Sequence, residues 1–235
     1  MSAFQFEQIG VIHSPYKEKF AVPRQPGLVT RGGGELHLIA PYNQADAVRG
    51  LDAFSHLWVV FVFHQTMEGG WRPTVRPPRL GGNARMGVFA TRSTFRPNPI
   101  GMSLVELKGI RCQKDQVILE LGSLDLVDGT PVIDIKPYLP FAEALPDAWA
   151  SYAQDAPQAD MPVHFTPELA VQMHQLEKRY PHLRDFIVEV LAQDPRPAYR
   201  KEEEAGKTYA VWLLDFNVRW RVTGAGFEVF ALEPR

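Results

Sequence analysis

Hydrophobic and polar positions change rhythm partway along this chain. Over roughly the first 140 residues the apolar positions come in short runs, several of them alternating. Phe4 to Ile12 is β-rich with partial alternation, and Glu35 to Ile39 sets Leu36 and Leu38 against Glu35 and His37. Leu57 to Phe63 is apolar throughout, the mark of a strand buried on both faces. Met102 to Leu107, Val117 to Leu121 and Val132 to Ile135 complete the set, with Val117, Leu119 and Leu121 on one face. Gly and Pro clusters such as 32–34, Pro77-Pro78 and Asp128-Gly129 punctuate these runs, and only Asn43 to Arg49 predicts a short helix. Many short strands between turns predict a barrel or a sandwich.

Residues 141–165 are rich in Ala, Pro and Asp, lack Lys and Arg, and read as a linker between a unit at 1–140 and one at 166–235. A helix is expected from Thr166-Pro167-Glu168, with a hydroxyl cap, proline in the first turn and an acid beside it. Its apolar face is Leu169, Met173, Leu176 and Tyr180. After Pro181, Leu183, Phe186, Ile187, Val190 and Leu191 recur at helical spacing. Strands are expected at Thr208 to Phe216, Asn217 to Val222 and Phe227 to Leu232, so the second unit is small and α+β. The fold class is mainly β with an α+β C-terminal part.

Composition narrows the function. The chain has 235 residues, 45% hydrophobic and 22% charged, as in ordinary globular proteins. A single cysteine, Cys112, excludes an intrachain disulfide and a thiolate-held zinc or iron–sulfur site within one chain. The N-terminus has no basic and apolar leader pattern, and no apolar run approaches the ~18 residues of a membrane span, so a cytoplasmic protein is expected. Net charge is −2, yet Arg72 to Arg111 holds eight Lys or Arg against Glu106 alone. Leu139 to Met173 holds five acids and no Lys or Arg. A local basic surface on a mildly acidic protein suits a nucleic-acid segment.

Glycine-rich nucleotide fingerprints and the nucleophile elbow are missing from the sequence. His56 and His64 flank the apolar strand with even spacing and so share a face. With no carboxylate nearby in the pattern, no metal is assigned to them. The richest segment is Arg85 to Gly101, where an apolar run opens into a loop carrying Arg92, Arg96, Pro97, Asn98 and Pro99. Proline fixes its own φ and pushes the preceding residue toward extended backbone, so this loop is stiff and holds its arginines for something anionic. Four further polar loops, at 23–27, 64–66, 124–131 and 134–138, are expected to join it in one site at the strand ends.

These segments carry a family resemblance. Phe54 to Trp58, Arg76 to Asn83, Ala90 to Gly101, Asp134 to Tyr138, Asp194 to Tyr199 and Asp215 to Trp220 resemble the TrmO (YaeB) family of S-adenosylmethionine-dependent tRNA methyltransferases. Thr94 stands where many relatives have proline. The resemblance implies an N-terminal β-barrel, a homodimer, and methyl transfer to N6 of N6-threonylcarbamoyladenosine at position 37 in the anticodon loop of threonine tRNA. It places cofactor contacts on Arg24, Gln25, Pro26, His64, Gln65, Arg92, Met102 and the loop Leu124, Asp125, Leu126 and Val127. Asp125 or backbone carbonyls suit the sulfonium, and Arg92 or Arg24 the methionyl carboxylate. Asp215, Asn217 and Tyr199 are the candidates for proton acceptor, base-orienting amide and stacking ring. Arg72, Arg96, Lys136 and Arg196 are candidate RNA contacts. A barrel that binds RNA without catalysis, or a methyltransferase acting on a protein or metabolite, are the competing readings.

Overall fold

The computed structural model describes residues 4–81, 83–196 and 205–234. Six strands close into an all-antiparallel barrel: β1 (Gly10–His13), β2 (Gly34–Leu38), β3 (His56–Val62), β6 (Ile100–Gln113), β7 (Gln116–Leu121) and β8 (Pro131–Pro137), in the order β1-β2-β7-β6-β3-β8. A barrel leaves no free sheet edge, which answers the exposure problem of many short strands. Its interior is filled by the alternating side chains of each strand, among them Ile12, Leu36, Leu57, Val59, Val105 and Leu119. Between β3 and β6 lies an excursion pinned by a two-residue ladder, β4 (Thr74–Val75) with β5 (Met86–Gly87).

The second unit is a four-stranded sheet in the order β10 (Thr208–Leu213), β11 (Phe216–Thr223), β12 (Gly226–Pro234) and β9 (Val163–Phe165), the last pairing in parallel. Helices α2 (Ala170–Glu177) and α3 (Leu183–Ala192) accompany it, and a short α1 (Pro140–Glu143) follows the barrel. The buried residues of α3 are the five expected from its spacing, Leu183, Phe186, Ile187, Val190 and Leu191.

The two units share one core. Tyr16, fully buried, meets the Phe186 ring with centroids 5.9 Å apart. Around it Lys17 N donates to Trp212 O at 3.2 Å and Leu214 N donates to Pro15 O at 2.7 Å, so the segment after β1 runs as an extra bridge beside β10. Glu189 of α3 accepts from the Thr30 hydroxyl at 2.7 Å and from Arg31 N at 3.0 Å.

Several local expectations change. β3 buries only Leu57, Val59 and Phe61, while Trp58, Val60 and Val62 are half-buried, because the outer face of a barrel wall has only loops to cover it. The strand expected at Phe4 to Ile12 is confined to Gly10–His13, where β2 and β8 supply partners. Asn43 to Arg49 is a single 3₁₀ turn, Ala45–Val48. Thr166 makes no side-chain cap, and the helix opens instead with a 3₁₀ turn, Pro167–Leu169. Residues 141–165 contain β9, which extends the C-terminal sheet. His56 stands on β3 and His64 begins a 3₁₀ turn past its far end, so they do not face one another. Among the described residues no group of three or more His, Cys, Asp or Glu is placed to hold a metal ion, and no helix is long and apolar enough to cross a membrane.

Candidate functional site

One end of the barrel opens into a cavity of about 440 Å³, within the ~300–1,000 Å³ common for small-molecule sites. Its floor comes from β3 and β6. Phe61 and Phe63 pack edge to face with centroids 5.1 Å apart, and Gly101 lies against both. A Cβ at position 101 would stand 2.3 Å from Phe61 Cζ and 2.8 Å from Phe63 Cζ, so only glycine admits the two rings there. The stiff loop is fastened to the same strand end, with Phe63 N donating to Pro99 O at 2.8 Å.

Asp125 supplies the wall's acid. It follows β7 in a loop where Leu124 and Leu126 are buried in the core, which leaves the residue between them turned toward the cavity. Leu124 N donates to Gly32 O at 2.9 Å and the Ser14 hydroxyl donates to Leu126 O at 2.8 Å, so the loop is held on both sides. Ser103, on the inward face of β6, donates its hydroxyl to Asp125 Oδ1 at 2.5 Å. Enclosure by protein pushes the Asp125 carboxyl up to about 6, against the hydrogen bond from Ser103 and the charge of Arg92, which both favour the ionised form. Among the described residues Asp125 is the one acid lining the cavity.

The basic wall is built from two loops. Arg92 Nη1 donates to Gln25 Oε1 at 2.6 Å, tying the proline–arginine loop to the segment carrying Arg24. Arg24 remains open to solvent on one side. Lost hydration lowers its pKa, Asp194 opposes that, and the like charge of Arg79 adds to it. Arg96 behaves differently: its Nη1 donates to Thr91 O at 2.8 Å and Val88 O at 3.2 Å, and its guanidinium lies 5.7 Å from the Phe89 ring centre. Arg96 therefore braces the loop from within.

A second concavity of about 990 Å³ adjoins the first and shares Arg24, Thr91, Arg92 and Thr94 with it. Arg72, Arg76, Arg79, Arg85, Phe95 and Tyr152 line the remainder.

The expected cofactor residues converge. Arg24, Gln25, His64, Gln65, Arg92, Met102, Asp125, Leu126 and Val127 all line the first cavity, while Pro26 flanks it and Leu124 is buried behind it. The expected RNA contacts divide. Arg72 lines the groove, but Lys136 points outward from β8, pairs with Asp134 at 2.6 Å and lines neither concavity. Arg196 is buried: its Nε and Nη2 donate to the Asp194 carboxylate at 2.8 and 3.1 Å, and Phe227 lies 4.9 Å below it. A guanidinium held on both sides in this way supports the fold and offers no free surface to RNA.

The expected catalytic group is dispersed. Asp215 Oδ2 accepts from the Tyr180 hydroxyl at 3.0 Å and pairs with Arg179 at 3.1 Å, at the β10–β11 turn next to Pro15. The Asn217 amide reaches Glu233 at 3.5 Å. Neither Asp215 nor Asn217 lines the cavity or the groove, and Tyr199 lies outside the described residues. Ser103, Phe61 and Phe63 line the cavity as well, and no motif marks them in the sequence. Ser103 was visible in principle, since alternation along β6 places it with Gly101 and Val105 on the inward face, where a hydroxyl needs a partner.

Comparison with known proteins agrees with this geometry. The tRNA-methyltransferase O N-terminal domain matches residues 11–144 and the TrmO C-terminal domain residues 158–235. The tRNA (adenine(37)-N6)-methyltransferase of Escherichia coli (strain K12) is 84% identical over 235 residues, covering both chains in full. A putative S-adenosylmethionine-dependent methyltransferase, RcsF, of Pseudomonas aeruginosa is 47% identical over 213 residues, 90% of each chain. The crystal structure of TrmO from Pseudomonas aeruginosa superposes with a TM-score of 0.81 at 37% identity, covering 100% of this chain and 99% of that one.

Proposed function

Because this chain belongs to the tRNA-methyltransferase O family, we infer that it methylates N6 of the adenosine at position 37 of tRNA, using S-adenosylmethionine. The target nucleoside is N6-threonylcarbamoyladenosine, and threonine tRNA is its carrier. The observation that carries the reading is the meeting of four sequence-distant segments in one cavity that joins an enclosed carboxylate to exposed arginines.

The residues fit this cofactor. An enclosed carboxylate that is uncomfortable when charged is relieved by a bound cation, and the sulfonium is one. Arg92 and Arg24 suit the methionyl carboxylate, and Phe61, Phe63 and Met102 offer apolar surface to an adenine. When bound, S-adenosylmethionine would supply an electrophilic methyl group, with an N–C bond formed at N6 as the S–C bond breaks and the N6 proton leaves. The protein's share is to fix the acceptor in line at roughly 3–3.5 Å, to exclude water and to receive that proton. Asp125 and His64 are the acceptors within reach of the cavity. Asp215, held by Tyr180 and Arg179, does not line this cavity.

The reading extends to a homodimer, to the anticodon loop as the RNA element contacted and to a cytoplasmic site of action. The exposed apolar side chains Phe141, Leu145 and Trp149, near one another in sequence just after the barrel, support a self-association surface. The activity is tested by incubating the protein with labelled S-adenosylmethionine and total tRNA from cells lacking the enzyme. Label is expected on adenosine 37 of threonine tRNA, and its absence there rejects the substrate.

A further inference from the structure

The groove of about 990 Å³ beside the cofactor cavity is lined by six arginines and by no carboxylate. Six arginines elsewhere are neutralised, Arg49, Arg111, Arg179, Arg196, Arg219 and Arg221, each within 4 Å of an acid. Among the described residues none of Arg24, Arg72, Arg76, Arg79, Arg85 and Arg92 does. The ladder between β4 and β5 sharpens the point. Thr74 pairs with Gly87 and Val75 with Met86, where the ladder ends, and Arg76 and Arg85 are the residues next to that end on its two strands, both lining the groove. Like charges brought to one strand end repel each other, and an anion between them relieves that repulsion. The scaffold is nevertheless stiff, with Pro73, Pro77 and Pro78 in the wall. The segment after the barrel closes the far side: Arg79 Nη2 donates to Asp155 O at 2.6 Å and the Tyr152 hydroxyl donates to Ala90 O at 3.2 Å.

We propose that this groove is a binding site for the phosphate backbone of single-stranded RNA, with Arg76 and Arg85 as a paired clamp on phosphates next to the target nucleoside. The proposal rests on the tRNA-methylation reading above. Arginines among aromatic faces, here Phe95 and Tyr152, are the usual composition of a single-strand track. Arg24 and Arg92 are common to the groove and the cavity, so a backbone lying in the groove leaves its base at the cavity mouth. The forked guanidinium suits phosphate, and a pair of forks fixes the strand's register without reading its bases.

The test measures binding of a threonine-tRNA anticodon stem-loop across a salt series. For Arg76→Gln/Arg85→Gln the slope of log affinity against log salt is expected to become shallower by about 1.4, at roughly 0.7 per single-strand phosphate contact. Affinity near 0.15 M salt should fall roughly ten- to hundredfold, while the thermal shift given by S-adenosylmethionine is kept. Arg49→Gln/Arg111→Gln, which removes two paired arginines, should leave the slope as it was. An unchanged slope in the first variant overturns the proposal, as does a change seen only with threonylcarbamoylated RNA, which would assign the groove to that carboxylate. Phosphate-ethylation interference with the unaltered protein is the independent measurement: interference beside nucleotide 37 is expected, and none there overturns the clamp. Methyl transfer to the same RNA is followed in parallel. Transfer with an unchanged slope rejects the groove alone, whereas no transfer by the unaltered protein rejects the activity.

Discussion

The rim of the barrel and the C-terminal sheet use arginine for opposite purposes. On β11, Arg219 and Arg221 pair with Glu233 and Glu228 of β12, cross-strand neighbours that settle each other's charge. At the rim, Arg72 stacks on Phe95 and Arg92 is steered by a neutral amide, so orientation is fixed while the charge stays available. Arg96 is the intermediate case, its donors turned on backbone carbonyls. The lesson is that an arginine's partner, and not its exposure alone, separates scaffold from site.

Substitutions can break that distinction, and the largest effect is expected in the scaffold. Asp194→Ala leaves the Arg196 guanidinium buried without its carboxylate and should cost about 3–5 kcal/mol of stability, read as a lower denaturant midpoint. A rim residue with a cost of that size would dissolve the contrast.

Asp125→Asn should do the reverse. The folded-state pKa of about 6 lies above the ordinary 3.8, so the stabilising contribution of this group is full below pH ~4 and lost as pH rises through about 6. At pH 8 the ionised group then costs the unliganded fold up to about 3 kcal/mol, and the asparagine variant should melt higher there. Cofactor affinity should move the other way. In the unaltered protein it is expected to fall as pH drops through about 6, and in the variant to be weak and flat across that range. A variant that keeps both full affinity and the pH dependence would remove Asp125 from the cofactor site.

Arg92→Ala is expected to weaken cofactor binding roughly ten- to hundredfold, about 1.4–2.8 kcal/mol, with little change in melting temperature. Titration calorimetry against S-adenosylmethionine decides this. The smallest effect is assigned to Arg221→Ala, an exposed strand pair whose loss should cost less than ~1 kcal/mol and leave transfer rates alone.

How far the sequence could be read follows the range of the interactions. The α3 stripe was legible because helical periodicity is a local property. The strand pattern alone leaves barrel and sandwich open, since closure depends on β1 meeting β8 across more than a hundred residues, and the barrel was supplied by the family resemblance. β6, Ile100–Gln113, runs past the expected end at Leu107, because Lys108 to Gln113 is a mostly exposed hairpin arm whose apolar positions are only Ile110 and Cys112. The cavity residues were foreseen through family motifs, whereas Ser103 follows from register alone. Asp215 and Arg196 stood in equally distinctive motifs. Tyr180 and Arg179 for the one, and Phe227 for the other, arrive from distant segments and hold them in the scaffold.

The join between β1 and β8 also sets a timetable. On the ribosome, Gly10–His13 emerges early and finds β2 soon after, yet its second neighbour is complete only when Pro137 has left the exit tunnel. Until then the nascent sheet carries open edges on which another chain could add a strand, and the arginine groove lacks the wall that residues 152 and 155 bring later still. Long-range pairing of this kind folds slowly, so the chain's most exposed moment is its own synthesis.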